Sequence, residues 1–223
     1  MGLGKLAELD FDAVIFDMDG TLIDSTPAVA RAWSTWAAEH GITAEELAGH
    51  HGMPSAGVVR KLLPDHRHDS AIDRINALEI DDVHDIVVLP GAADALAALA
   101  SARNAIATSC TLPLARARIA AAQLVTPSVL VTADQVAHGK PAPDPFLLAA
   151  ERLGVSPERC LVVEDAPAGL TAAEAAGCYR LAVITTTPED ELVADGIVRN
   201  LGDVEFLTSP DGTIRVRELA VGD

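Results

Sequence analysis

The sequence predicts an α/β protein: a parallel sheet covered by helices on both faces, interrupted straight after its first strand by a small helical insert. Three observations carry this reading. Ala13-Val14-Ile15-Phe16 is a short apolar run with the length and β-branched content of a buried strand. No strand pattern follows between about residues 25 and 85, where the periodicity is helical. Beyond that stretch, short apolar runs alternate with helical segments, as when strands are joined by helical crossovers into a parallel sheet. Together they give a Rossmann-like core over 1–24 and 86–223, with a helical cap over 25–85.

The elements follow in order. The first strand ends in Asp17-Met18-Asp19-Gly20-Thr21, where Gly20 lets the backbone turn. Pro27 suits the first turn of a helix over 28–40, which Gly41 closes. Thr43-Ala44-Glu45-Glu46 has the form of a capping box opening a second helix. Segments 55–63 and 70–78 supply two further helices of the cap. Leu89-Pro90-Gly91 then leads into a helix over 92–100. Strands over 105–109, 128–132, 160–163 and 180–185 alternate with helices over 114–124, 144–153, 168–176 and 189–194. The last segment, 212–219, reads as an edge strand.

Composition bounds the function. The chain has 223 residues, 49% hydrophobic and 22% charged, which is a globular composition with length for one large domain or a domain with an insertion. A net charge of −17 argues against nucleic acid or an anionic membrane as partner. An anionic substrate stays compatible, because a metal or a few placed cations can set the local field. No apolar run approaches the roughly 20 residues of a membrane span, and the opening residues lack the long apolar core of a signal peptide. Cys110, Cys160 and Cys178 are odd in number and lack CxxC spacing, so they read as reduced thiols of a cytoplasmic protein.

Parallel sheets bind ligands at the carboxyl ends of their strands, and four polar signals fall there. Asp17 and Asp19 leave the first strand, Thr108 and Ser109 the second, and Glu164 and Asp165 follow Leu161-Val162-Val163. The remaining signal is Lys140 in His138-Gly139-Lys140-Pro141-Ala142-Pro143, one of only three lysines in the chain. Each has an ordinary reading as an acidic turn, a cap, a surface lysine or a loop. Jointly they suit phosphoryl transfer, whose uncatalysed rate is among the slowest known. Asp17 is the candidate nucleophile for an aspartyl-phosphate. Asp19 would protonate the leaving oxygen and later activate water. Thr108 and Ser109 would donate to phosphate oxygens, and Lys140 would neutralise charge developing on the transferring group. Acids so close require a cation. Mg²⁺ suits this oxygen set, with Asp17 and Asp165 as carboxylate ligands and Glu164 either on the metal or behind it.

On these motifs the chain resembles the haloacid dehalogenase superfamily phosphatases, in the branch with a small helical cap after the first strand. FDMDGTLIDS is similar to the family's first motif and Thr108-Ser109 to its second. GKPAPDPFLLAAERLG and VVEDAPAGLTAAEAAG are similar to the third and fourth. The resemblance runs from about Phe11 to Thr187. It implies Asp17 as nucleophile, Asp19 as acid/base with its carbonyl on the metal, and roles for Lys140 and Asp165. It also implies a sheet ordered fifth, fourth, first, second, third strand. Within the branch the chain looks most like sugar-phosphate and glycerol-phosphate phosphatases, acting on substrates such as a 2-deoxyhexose 6-phosphate or glycerol phosphate. The alternative is a β-phosphoglucomutase-like isomerase, but those enzymes carry a His where this chain has Val29 and an Arg near Pro54-Ser55. The expected partner is a small phosphorylated metabolite, and the expected state a monomer or weak homodimer.

The leaving group is expected to meet the cap, whose polar candidates are Arg31, Trp33, His50, His51 and Arg60. Trp33 and Trp36 share a helix face, the usual sign of core, though Trp33 can also serve as a sugar platform. His66 and His68 do not share a helix face and read as a solvated loop rather than a metal site.

Overall fold

The computed structural model describes residues 1–48 and 53–219. In chain order the strands are β1 (Ala13–Phe16), β2 (Ile23–Asp24), β3 (Val87–Val88), β4 (Asn104–Ala107), β5 (Val129–Val131), β6 (Cys160–Glu164), β7 (Tyr179–Val183), β8 (Gly196–Val198), β9 (Val204–Thr208) and β10 (Ile214–Glu218). The α-helices are α1 (Thr26–His40), α2 (Ala44–Leu47), α3 (Ser55–Leu62), α4 (His68–Asp81), α5 (Ala92–Ala98), α6 (Leu112–Ala122), α7 (Asp144–Leu153) and α8 (Pro167–Ala175).

The main sheet is parallel, in the order β5-β4-β1-β6-β7-β8. This is the expected five-strand order with one strand added beside β7. β1 lies between β4 and β6, with Ile15 opposite Ala105 and Val162. Alternate side chains enter different cores, which explains why β1 is apolar at every position. Val14 and Phe16 join Ile106, Leu161 and Val163 on one face, under α5, α6 and the β9–β10 ribbon. Ala13 and Ile15 join Ala105, Ala107 and Val162 on the other, against Phe146 of α7 and Ala172 of α8. Each large side chain so buried contributes about 1.5–3 kcal/mol.

The chain leaves this core through β2 and returns through β3. These pair antiparallel, Ile23 opposite Val88, so the helical insert α1–α4 hangs from a two-stranded neck. The expected caps are present. Pro27 lies in the first turn of α1, and Gly41 ends it with φ 71°. Thr43 and Glu46 form the reciprocal capping box. The insert has its own apolar cluster around Trp36, Val59, Leu63, Ala71 and Ile75. Trp36 is fully buried, and its indole N–H donates to the Ala71 carbonyl at 2.9 Å.

Two expectations near the carboxyl end need correction. The helix expected over 189–194 is a single 3₁₀ turn, Glu189–Glu191. Three consecutive acids follow Pro188, and only Leu192 is buried, so no apolar helix face exists. The chain instead extends into β8. The expected edge strand over 212–219 is β10, which pairs with β9 in a separate antiparallel ribbon rather than extending the main sheet. Among the described residues, no helix is long and apolar enough to cross a membrane.

Candidate active site

Asp17 directly follows β1, and its backbone N–H donates to the Val163 carbonyl at 2.9 Å. The next residues fold back tightly. Leu22 and Ile23 both donate to the Met18 carbonyl, at 2.9 and 3.0 Å, and Gly20 donates to the Ile23 carbonyl at 2.8 Å. Gly20 has φ 85°, and a Cβ there would stand 2.2 Å from Asp165 Oδ2. Glycine is therefore required both for the left-handed backbone and for the close approach of this loop to the end of β6.

Lys140 reaches the same place from the loop before α7. Its ammonium is buried and donates to Asp17 Oδ1 at 2.5 Å and to Glu164 Oε1 at 2.7 Å. The second Glu164 oxygen accepts the backbone N–H groups of Asp165 and Ala166, each at 2.8 Å. Asp165 accepts from the Thr21 hydroxyl at 3.3 Å and from the Thr186 hydroxyl. Burial alone would depress the Lys140 pKa, but the charges of Asp17 and Glu164 outweigh it and hold the ammonium above its ordinary range. Burial, reinforced by Glu164 and Asp19, pushes the Asp17 carboxyl up to about 7 against the pull of Lys140. Burial and the charges of Glu164 and Asp17 also push Asp165 well up.

The structure thus crowds three carboxylates, and the crowding raises the pKa values of Asp17 and Asp165. Oxygens of Asp17, Glu164 and Asp165 all lie within 4.8 Å of one another, buried. Hard oxygen donors in this number fit a small divalent cation, which would also relieve the crowding of charge. Glu164 accepts an ammonium and two backbone N–H groups, whereas Asp165 accepts two hydroxyls, so Asp17 and Asp165 are the better placed of the three to face an ion. A second cluster of possible metal ligands, Asp82, His84 and Asp85, follows the carboxyl end of α4. There Arg31 donates to both Asp82 and Asp85, at 2.7 to 2.8 Å.

Thr108 and Ser109, at the end of β4, line the same cavity as Asp17, Asp19 and Asp165. Thr108 is buried, and its hydroxyl accepts the Cys110 N–H at 3.1 Å. The cavity holds roughly 640 Å³ between the strand ends and the insert. Its insert wall is largely apolar, with Val29, Ala30, Trp33, Leu47, Met53 and Val58. Of the expected cap residues, the structure brings Trp33 to this cavity. Arg31 and Arg60 are exposed and are not among its described lining residues. Arg31 is held by Asp82 and Asp85 instead. His50 and His51 lie outside the described residues.

Two lining residues escape a reading of strand ends. Arg118 on α6 is 3% exposed, and Glu79 on α4 is 4% exposed. Arg118 donates to Asp19 Oδ1 at 2.8 Å and to Glu79 Oε1 at 3.0 Å. Asp19 Oδ1 also accepts from Ser25 at 2.6 Å. The available signal is that each charge occupies an apolar helix stripe: Leu114, Ala115 and Arg118 on α6, and Ala71, Ile75 and Glu79 on α4. Burial pushes the Glu79 carboxyl up, against the opposing charge of Arg118.

Comparison with known proteins is consistent along most of the chain. A family model for haloacid dehalogenase-like hydrolases matches residues 11–177. Hexitol phosphatase A of Escherichia coli (strain K12) is 41% identical over 210 residues, covering 91% of this chain and 97% of that protein. Glycerol-1-phosphate phosphohydrolase 2 of Saccharomyces cerevisiae is 33% identical over 222 residues, covering 90% of this chain and 87% of that protein. The crystal structure of a hydrolase from Pseudomonas syringae has a TM-score of 0.79 at 27% identity, covering 86% of this chain and 95% of that one.

Proposed function

The chain belongs to the haloacid dehalogenase-like hydrolase family, and on that premise we propose that it is a Mg²⁺-dependent phosphatase of small sugar or polyol phosphates. The observation that carries this reading is the buried cluster at the end of β1, where Lys140 bridges Asp17 and Glu164 beside Asp165. A carboxylate pinned at a strand end, next to an ammonium and a cation-binding acid pair, is suited to attack phosphorus.

The steps follow from the side chains. Thr108 and Ser109 donate to oxygens of the transferring phosphate, and Lys140 offsets its charge. Asp17 attacks phosphorus, and the bond from phosphorus to the leaving oxygen breaks as Asp19 protonates that oxygen. Water then attacks the phosphorus of the acyl phosphate, Asp19 takes its proton, and the Asp17 carboxylate departs. Asp17, Asp165 and the Asp19 carbonyl would hold Mg²⁺, with Glu164 orienting Lys140 behind them. When bound, the ion supplies positive charge that keeps Asp17 ionised and lets a phosphate dianion enter an acidic site.

The helical insert over 25–85 reads the leaving group. Its apolar wall suits the carbon face of a sugar or polyol. Arg118 is the one lysine or arginine among the described lining residues, and it already serves two carboxylates. An uncharged leaving group suits this wall, which favours hydrolysis of a monophosphate over the bisphosphate handling of a mutase. The names of the two curated relatives support a polyol phosphate as substrate. Phosphate release across hexitol, hexose and glycerol phosphates, with Mg²⁺ and with excess chelator, tests the reading. Full activity in chelator would refute the metal requirement. Glucose 6-phosphate accumulating faster than inorganic phosphate, from β-glucose 1-phosphate with a trace of glucose 1,6-bisphosphate, would refute the hydrolase.

A further inference from the structure

A continuous set of hydrogen bonds joins the insert to the loop after β1. Ser55 on α3 donates to Glu79 Oε2 at 3.1 Å. Glu79 Oε1 accepts from Arg118 Nη2 at 3.0 Å, and Arg118 Nη1 donates to Asp19 Oδ1 at 2.8 Å. That same oxygen accepts from Ser25 at the start of α1, at 2.6 Å, while the Cys110 thiol donates to Asp19 Oδ2 at 3.1 Å. Every link crosses from one element to another.

Stability does not explain such a chain. An ion pair this deeply buried gains little over an apolar pair of similar volume, because both charges lose their water. Arginine also forgoes something here. Its Nε is buried and has no partner, while the two terminal nitrogens are spent on two carboxylates from opposite sides. A planar guanidinium meets each acid with its own terminal nitrogen, whereas a lysine would have to reach both from a single ammonium.

We propose that Arg118, anchored by Glu79, is a positioning residue that holds the Asp19 carboxylate for proton transfer and ties it to the helices that read the leaving group. The inference rests on the reading of Asp19 as acid/base. Two donors on Oδ1 restrict the Asp19 rotamer, and Asp19 keeps 24% of its side chain exposed to meet the leaving oxygen. As the bond from phosphorus to that oxygen breaks, the proton passes from Asp19 to the oxygen. The resulting carboxylate is met by the Arg118 guanidinium already in place. When water attacks the acyl phosphate, Asp19 regains a proton from it. Glu79 lies on the insert, so the bridge makes good placement of Asp19 depend on good placement of the insert.

The test uses leaving groups that differ in their need for a proton. An alkoxide must be protonated to leave, whereas nitrophenolate need not be. First-turnover release of the alcohol from a hexitol 6-phosphate, and of nitrophenol from p-nitrophenyl phosphate, is measured for the parent protein, Arg118→Met, Arg118→Lys, Glu79→Gln and Asp19→Asn. Arg118→Met is expected to lower the ratio of the two rates about 10- to 100-fold, the scale of misplacing a catalytic group. Arg118→Lys should recover part of that loss, and Glu79→Gln should lower the ratio less. If Arg118→Met fails to fold with Glu79 left unpaired, the double variant Arg118→Met/Glu79→Gln removes both charges and carries the same comparison. Equal losses on both substrates, or none, beside a selective loss in Asp19→Asn, overturn the positioning role alone. No selectivity in Asp19→Asn overturns the acid/base reading, and the proposal falls with it.

Discussion

A Cβ on Gly169 would stand 1.7 Å from Glu164 Oε1, the oxygen that holds Lys140. The first turn of α8 therefore packs directly on the carboxylate that orients the Lys140 ammonium. Gly169→Ala should displace Glu164 and with it Lys140. We expect phosphate release to fall about 100-fold, the scale of a misplaced catalytic group, and stability to fall by about 1–3 kcal/mol from overpacking. Steady-state kinetics and denaturant unfolding check both, and normal kinetics in a folded variant would contradict the packing argument. Asp17→Asn tests a different property, because an amide cannot form the acyl phosphate. Turnover should vanish while the far-ultraviolet spectrum and cooperative unfolding persist. At this scale the sequence was informative where chemistry follows a strand. Asp17, Asp19, Thr108, Ser109, Glu164 and Asp165 each stand just past an apolar run, where packing gives no reason for them. Arg118 and Glu79 were hidden because they lie inside helices, where spacing signals core. Their charges make sense only once α4 and α6 are known to face each other.

The insert shows what local signals can and cannot convey. Two of its helices are legible because caps mark them: Pro27 and Gly41 bound α1, and the Thr43–Glu46 box opens α2. Which of its cations reach the cavity was not legible, since that depends on partners distant in sequence. Arg31 is taken by Asp82 and Asp85, about fifty residues further on. β8 was missed for a related reason: its three residues are too short to show a period, and pairing with β7 and with Gly2 is what makes them a strand. Trp33 is the insert residue whose position supports a role in substrate choice, because it lines the cavity while Trp36 behind it is core. Replacing Trp33 with Ala removes a rigid apolar platform, and losing about 40 Å² of contact with substrate carbon costs about 1 kcal/mol at roughly 25 cal/mol per Å². We expect KM for hexitol phosphates to rise about 3- to 10-fold, and KM for acetyl phosphate, which is too small to reach the wall, to change less. Equal changes on both substrates would move the specificity site away from this wall.

For the whole molecule the acidic cluster sets the balance between pH and metal. The folded state raises the Asp17 carboxyl from its ordinary 3.8 to about 7, chiefly by burial, and raises Asp165 in the same direction. The folded protein therefore holds protons that the unfolded chain has released. Stability from these groups is present below about pH 4 and is lost as pH rises toward 7. Surface acids such as Asp203, lowered by Arg199, act oppositely, and their contribution is lost only as pH falls below the ordinary carboxylate range. In chelator, Tm should accordingly decline between about pH 4 and 7. The proposed binding of Mg²⁺ to the ionised cluster of the folded state should raise Tm more at pH 8 than at pH 5. An equal shift at both pH values would place the ion elsewhere. The fold and the buried acidic cluster converge on the Asp17 carboxylate, and a rapid acid quench tests its role directly. The enzyme is mixed with a hexitol phosphate radiolabelled at phosphorus, quenched within the first turnover and digested. Label is expected on the peptide carrying Asp17, and absent from the Asp17→Asn protein. Labelled phosphate released at the full rate with no label ever on that peptide would contradict the aspartyl-phosphate mechanism.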